Sequence, residues 1–454
     1  MKIKTFWLAI AAFVMLVNCG NGTEKDTAEV NARITVADSV DATGNYSGIQ
    51  LLILDFSKGN DQIDTLFISK TDTSGFLSGK VKVPAQGLYP LVVSRNGVNL
   101  MRSQVLLAAH DTLSISGELP GLAGNFKVDS REERAVQVFK RVDTGFSRVL
   151  VYIRGGAIAD SLVSNEVHKW SNLYWDIYKE YPGTIAANLG AKQSIRILKG
   201  FNDDLLLERM NESLTTDQMI TNAADFGRKF IAEKKGLKAS MDFVDSLKGL
   251  TKNKDVLQAL DRVEIVSYYD SSKVDKSVEL LNKFKSRYKS DEVAMEWADK
   301  LGYDLTYLSP GKKMPHFEFV SFSGDSISTE SLIGTAYILE ISPVTNQMYQ
   351  TQFDRALVIH QLYRNSGLHF YTIPLDKSEI TANAFFEERN YPWPVAKPGA
   401  FDVKKIIDSL NITIIPTRFL VDENGIISKK YVAEDFDGVL EGINKILNKN
   451  NQEN

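Results

Sequence analysis

The chain has 454 residues, 24% of them charged, and its 53 lysines and arginines face 57 aspartates and glutamates for a formal net charge of −4 at pH 7. So mild an acidic balance gives no electrostatic basis for nucleic-acid binding. The single cysteine, Cys19, excludes an intrachain disulfide, so each domain must hold together on its own core. Two or three domains are expected at this length.

Residues 1–18 read as an export signal. Lys2 and Lys4 give a positive start, and Phe6 to Val17 form an apolar stretch too short to span a membrane. Leu16-Val17-Asn18-Cys19 resembles a bacterial lipobox. That resemblance implies acylation of Cys19 and contact with a membrane through the N-terminal lipid. The expected location is the cell envelope of a Gram-negative bacterium, on the periplasmic face or the cell surface. Residues 19–31 read as a polar tether.

Over residues 32–125 the period is that of strands. Short apolar runs such as Ile34-Thr35-Val36, Leu51-Leu52-Ile53 and Leu91-Val92-Val93 alternate with turn signals at Gly44-Asn45, Ser74-Gly75 and Asn96-Gly97. This spacing predicts a β-sandwich. Residues 126–308 turn helical. Apolar spacing predicts helices over 162–179, 185–198 (with Thr184 as N-cap), 217–234, 241–247, 255–268, 273–287 and 291–301. No fixed repeat length emerges, so an irregular helical region is expected rather than a solenoid.

Residues 309–447 change pattern again. An extended lead-in, Met314-Pro315-His316-Phe317-Glu318-Phe319, precedes a buried-strand run at Ala336-Tyr337-Ile338-Leu339-Glu340-Ile341. A helix is predicted over 352–365 and a second strand over 368–373. After a helical insertion, a third strand runs from Ile412 through Arg418-Phe419-Leu420-Val421 to a hairpin turn at Asn424-Gly425. Strand, helix, strand and hairpin make an α/β fold. The chain as a whole is therefore read as multidomain, with an N-terminal β-sandwich, a central α-helical region and a C-terminal α/β domain.

This last stretch, with its Ile415-Pro416-Thr417 and the Phe419-Leu420, Asp422 and Gly425 that come after, resembles the thioredoxin-like fold of redoxins and membrane-anchored thiol–disulfide oxidoreductases. The β-rich passage Asp72-Thr73-Ser74-Gly75-Phe76 and the connector Tyr181-Pro182-Gly183-Thr184 resemble segments that precede such domains in lipoproteins. The resemblance implies a cis bond before Pro416. It also implies a Cys-x-x-Cys pair just after the first central strand, where this chain reads Ser342-Pro343-Val344-Thr345-Asn346-Gln347-Met348-Tyr349. Asn346 and Tyr349 occupy the two cysteine positions. Thiol–disulfide exchange needs a thiolate, and neither residue supplies one.

Two readings of that site stand. Asn346, Gln347, Met348 and Tyr349 line a groove with Ile415, Pro416 and Thr417 and hold an extended protein segment by strand addition; or the site is a relic. None of the five histidines (110, 168, 316, 360 and 369) falls in a ligand motif, so no metal is expected. Asp376 and Asp422 lie at strand ends without a partner base, and Tyr391-Pro392-Trp393-Pro394 reads as a packed cap. No phosphate-binding glycine motif appears, and neither a cofactor nor a catalytic residue is expected. The expectation is a lipid-anchored accessory or binding protein with a redox-inactive thioredoxin-like domain and an envelope protein or peptide as partner. The alternatives are an enzyme acting through a partner's thiols, or an architectural spacer.

Overall fold

Alternation of small apolar and polar residues begins at Thr27, earlier than the expected tether allows. Ala28, Val30 and Ala32 are buried while Glu29 is exposed, and the strand pairs from Thr27↔Lys82 onward. The tether ends there rather than at residue 31. The computed structural model describes residues 26–57, 63–120 and 126–450; the expected export signal, Cys19 and the start of the expected tether lie outside them. The chain divides between Gly227 and Arg228 into two compact units.

Among the described residues of the first unit, eight strands form two four-stranded sheets: β1 (Thr27–Val36), β2 (Ile49–Asp55), β3 (Asp64–Lys70), β4 (Phe76–Lys82), β5 (Gly87–Arg95), β6 (Val98–Leu107), β7 (Thr112–Leu119) and β8 (Lys127–Asp129). Their orders are β4-β1-β7-β8 and β3-β2-β5-β6. The buried alternate residues of both sheets, Val30 and Ile34 of β1 with Leu51 and Ile53 of β2 among them, join in one apolar cluster. Helices α1 (Arg131–Arg154), α2 (Asp160–Glu180), α3 (Ile185–Ile197) and α4 (Asp203–Glu212) come next. Buried Glu132 of α1 accepts hydrogen bonds from the Ile185 N–H (3.1 Å) and the Gln86 side chain, tying a strand connection to the start of α3. Thr184 caps α3 as its sequence predicts, accepting from the Ala187 N–H at 3.1 Å.

The two helices predicted over 217–234 and 241–247 are present, joined at Gly236 (φ 84°, ψ 170°), where the helical dihedrals break; together they are labelled α5 (Asp217–Lys248). A left-handed φ of this size costs glycine little. In the second unit α6 (Lys254–Asp270), α7 (Val274–Arg287) and α8 (Glu292–Tyr303) lead through a π-helical turn, Asp304–Leu308, to the C-terminal domain. Side chains fasten that turn to the domain. The Lys430 ammonium lies 2.9 Å from the Asp304 carboxylate and donates to the Asn411 carbonyl at 3.0 Å, and the Asn411 side chain donates to the Lys300 carbonyl at 2.8 Å.

The C-terminal domain contains β9 (Glu318–Val320), β10 (Ser326–Ser328), β11 (Ala336–Ser342), α9 (Gln347–Tyr363), β12 (Leu368–Pro374), α10 (Glu379–Glu387), α11 (Val403–Ser409), β13 (Thr417–Val421), β14 (Ile427–Val432) and α12 (Val439–Asn450). The main sheet has the order β12-β11-β13-β14, with β12 parallel to β11 and the other pairs antiparallel. Every residue of β11 and β13 is buried because both faces are covered. Ile338 and Leu420 feed one apolar cluster with α9, while Leu339 and Phe419 feed another on the opposite face.

Two expectations are corrected. The helix predicted to start at Gln352 starts at Gln347, because Asn346 caps it. The third strand starts at Thr417, not Ile412: Thr413, Ile414 and Ile415 are exposed, and Pro416 has no N–H to offer a ladder. No helix among the described residues is long and apolar enough to cross a membrane.

Candidate functional site

The site grows from one row of the sheet. Side chains alternate faces along a strand, so Glu340 points with Ile338 toward α9, and Arg418 points with Leu420 the same way. Register then places Thr372, Glu340, Arg418 and Tyr431 side by side across β12, β11, β13 and β14. Glu340 and Arg418 are fully buried, and the Arg418 Nε donates to Glu340 Oε1 at 2.6 Å. Glu340 Oε2 accepts from the hydroxyls of Thr372 (3.1 Å) and Tyr349 (3.2 Å). Trp393 Nε1 donates to Thr372 Oγ1 at 2.8 Å, so the predicted aromatic cap is packed down and hydrogen-bonded.

Arg418 also reaches α9, donating from Nη1 to Gln352 Oε1 at 2.7 Å, and its guanidinium lies 4.0 Å from the Phe436 ring centroid. Gln352 in turn donates to the Ala433 carbonyl at 3.0 Å, and the Ala433 N–H donates to the Pro416 carbonyl at 2.9 Å. One hydrogen-bonded chain thus joins the core pair, α9 and the loop before β13.

The seven groove residues singled out from sequence fall into four groups: a cap, a buried ring, the two first-turn residues of α9 between them, and the cis-proline loop. Asn346 is an N-cap, its side chain accepting from the Tyr349 N–H at 2.9 Å. Tyr349 is fully buried beside Glu340, so it cannot line a groove as expected; its place in the first turn of α9 turns its ring inward. Burial first, and the Glu340 carboxylate second, hold its hydroxyl pKa well above the usual tyrosine value. Gln347 is exposed and Met348 half-buried. The Ile415–Pro416 bond is cis. Pro416 and Thr417 are buried, whereas Ile414 and Ile415 stay 49% and 37% exposed, and no hydrogen bond reaches the Ile415 backbone among the described residues.

The ladder partner pair Ile341↔Thr417 runs on toward Ser342-Pro343 on one chain segment and Pro416-Ile415 on the other. The two loops therefore emerge from neighbouring strand ends. Neither 343–348 nor 412–417 carries a charged side chain. Such a surface can pair with an extended backbone and cover apolar side chains. Asp376 accepts from the Val344 N–H at 2.7 Å, and Asp422 accepts from the Asn424 and Ile426 N–H groups at 2.9 Å each. Both carboxylates are used by local backbone. His360 packs against Phe370 and Trp393, while His369, within β12, is exposed. Among the described residues, no group of three or more histidines, cysteines or carboxylates is placed to hold a metal ion.

The paired charges Glu340 and Arg418 were not singled out from sequence. Each interrupts an otherwise apolar strand, and opposite charges inside two buried runs are a signal that they meet.

No family model matches the chain. The thiol–disulfide oxidoreductase ResA of Bacillus cereus is 24% identical over 139 residues, which are 31% of this chain and 79% of that protein. ResA of Bacillus anthracis is 23% identical over the same length, with the same shares of the two chains. The C-terminal domain is thioredoxin-like. It is related to thiol–disulfide oxidoreductases over about 31% of the chain. Among solved structures, the thioredoxin domain of a Bacteroides vulgatus thiol–disulfide oxidoreductase is 20% identical with a TM-score of 0.27, covering 30% of this chain and 97% of that one. A thioredoxin-family thiol:disulfide interchange protein from Chlorobium tepidum TLS is 22% identical with a TM-score of 0.26, covering 30% of this chain and 97% of that one.

Proposed function

We propose that this is a lipid-anchored envelope protein, carrying an N-terminal β-sandwich, whose thioredoxin-like domain binds extended protein segments without redox chemistry. The observation that carries this reading is the fate of the second cysteine position. Tyr349 stands there, buried and hydrogen-bonded to Glu340, so the space used by a thiol is closed by an aromatic ring. Cys19 is the chain's sole thiol source, and it lies at the lipobox. What remains open is the exposed Ile415 backbone, in a loop that leaves the sheet at the strand end next to the one that leads to Gln347, an uncharged edge suited to strand addition.

A photocrosslinking residue at Gln347 or Ile415 in living cells, followed by mass spectrometry, tests this. One discrete protein adduct, abolished by a charge at the neighbouring Ile414, supports the reading. Adducts obtained solely from probes in the N-terminal sheets overturn it. Turnover of a disulfide substrate by the purified chain overturns it equally.

A further inference from the structure

We propose a second binding site, independent of the loop at Ile415, in the cleft between β9 and the start of α11: a site for a small zwitterion with an apolar side chain, a free amino acid or a dipeptide. The cleft exists because a ladder comes apart. β9 pairs with β10 along one edge, and on the other the Val320 carbonyl accepts from the Lys397 N–H at 2.9 Å. Beyond Lys397 the chain swings away through Gly399, whose φ of 85° makes the departure abrupt. Backbone groups alternate sides along a strand. Phe317 turns its carbonyl to the Thr329 N–H (3.1 Å) and Val320 turns its own to Lys397, so the N–H and C=O of Glu318 face the opened side.

The space left is about 220 Å³ and is lined by Phe319, Phe401 and Ile406 with Glu318, Asp402 and Lys405. That is short of the ~300–1,000 Å³ of sites that enclose drug-sized ligands, so the cleft seats one small group against its walls. Charge then selects among small molecules. Asp402 keeps one oxygen as the N-cap of α11, accepting from the Lys405 N–H at 3.0 Å, and one oxygen of Glu318 lies 4.0 Å from the His316 ring that also lines the cleft. The second oxygen of each carboxylate is left for an ammonium group, and the Lys405 ammonium, with no ion pair among the described residues, for a carboxylate. The aromatic and aliphatic wall takes a side chain, and the Glu318 backbone supplies the donor and acceptor that a peptide unit pairs with.

Titration calorimetry of the full mature chain tests the site, with L-leucine and leucyl-leucine as probes and their N-acetyl and C-amide derivatives as controls. Saturable binding of the free zwitterions is expected, weakened at least tenfold by either blocking group. Lys405→Met, at an exposed position, is expected to weaken the free acids at least fivefold and to leave the amides unchanged. No saturable heat with any probe overturns the proposal, as does equal binding of blocked and free forms, or binding indifferent to Lys405→Met.

Discussion

Glu340 and Arg418 are cross-strand partners 2.6 Å apart whose side chains are 0% and 1% exposed. An ion pair in such a place is costly to form, because both charges leave water, and it holds only when geometry and surrounding hydrogen bonds are complete. Here they nearly are: Thr372 and Tyr349 complete the carboxylate, and Gln352 and the Phe436 ring flank the guanidinium. Arg418 Nη2 has no hydrogen-bond partner among the described residues.

Removing one member should therefore cost far more than removing both. Glu340→Gln or Arg418→Met is expected to destabilise the domain by about 3–5 kcal/mol, since each strands a buried charge. The double variant Glu340→Leu with Arg418→Met should be closer to wild type than either single one. Urea unfolding of the four proteins checks this; a double variant as costly as the sum of the singles would contradict it.

Tyr349 separates packing from hydrogen bonding. Tyr349→Phe keeps the ring against Phe353 and removes one of the two hydroxyls on Glu340 Oε2, an expected loss of about 1.5–3 kcal/mol because the acceptor is charged. Tyr349→Ala should lose about 3–5 kcal/mol by opening a cavity. Unfolding midpoints distinguish the two, and comparable losses would show that the hydroxyl, not the ring, carries the position.

Buried Glu132 gives a pH signature. Its pKa is raised above the ordinary 4.5, burial being the largest cause, although the Ile185 N–H and Gln86 bonds pull it back. A raised carboxyl binds its proton more tightly in the folded chain, so its contribution to stability grows as pH falls through the folded value and is absent at neutral pH. Glu132→Gln removes the charge and keeps one of the two acceptor oxygens. Its stability relative to wild type is expected to be highest at pH 7 and to decline as pH falls toward 4.5; melting temperatures across that range check the sign.

Gly190 packs α3 onto α2. A Cβ there would sit 2.6 Å from the Tyr174 carbonyl oxygen, a backbone atom that cannot step aside cheaply. Gly190→Ala should therefore destabilise by about 1–3 kcal/mol, although alanine favours an isolated helix by about 1 kcal/mol. Thermal unfolding that shows a gain would mean that the two helices separate without cost.

Much of the C-terminal domain was readable from its residues. Apolar runs at Ala336–Ile341 and Leu368–Ile373 form strands, and Asn424-Gly425 makes the hairpin turn, with Gly425 at φ 73°. The start of α9 was misplaced because its first turn, Gln347 to Gln350, buries Tyr349 as its sole ring, so no apolar stripe marks it; the cap at Asn346 was the legible signal. α1 was not delimited since, among its 24 residues, Glu132, Ala135 and Phe146 alone are buried, too few for a clear stripe. The Glu340–Arg418 pairing spans 78 positions in sequence. Only strand register brings the two together, and register is a property of the folded sheet.

The Asp304–Lys430 contact has a practical consequence for anyone excising the thioredoxin-like domain. A fragment cut at residue 309, where the sequence pattern changes, would leave the Lys430 ammonium, 4% exposed, without its carboxylate, and would strip the Lys300 carbonyl from Asn411. A fragment that begins at Arg228, the start of the second compact unit, keeps both and also the α6 and α7 residues Ile265, Leu281 and Phe284 that cover Ala294 and Ala298 of α8. The shorter piece should express poorly or unfold early, and the longer one should hold together.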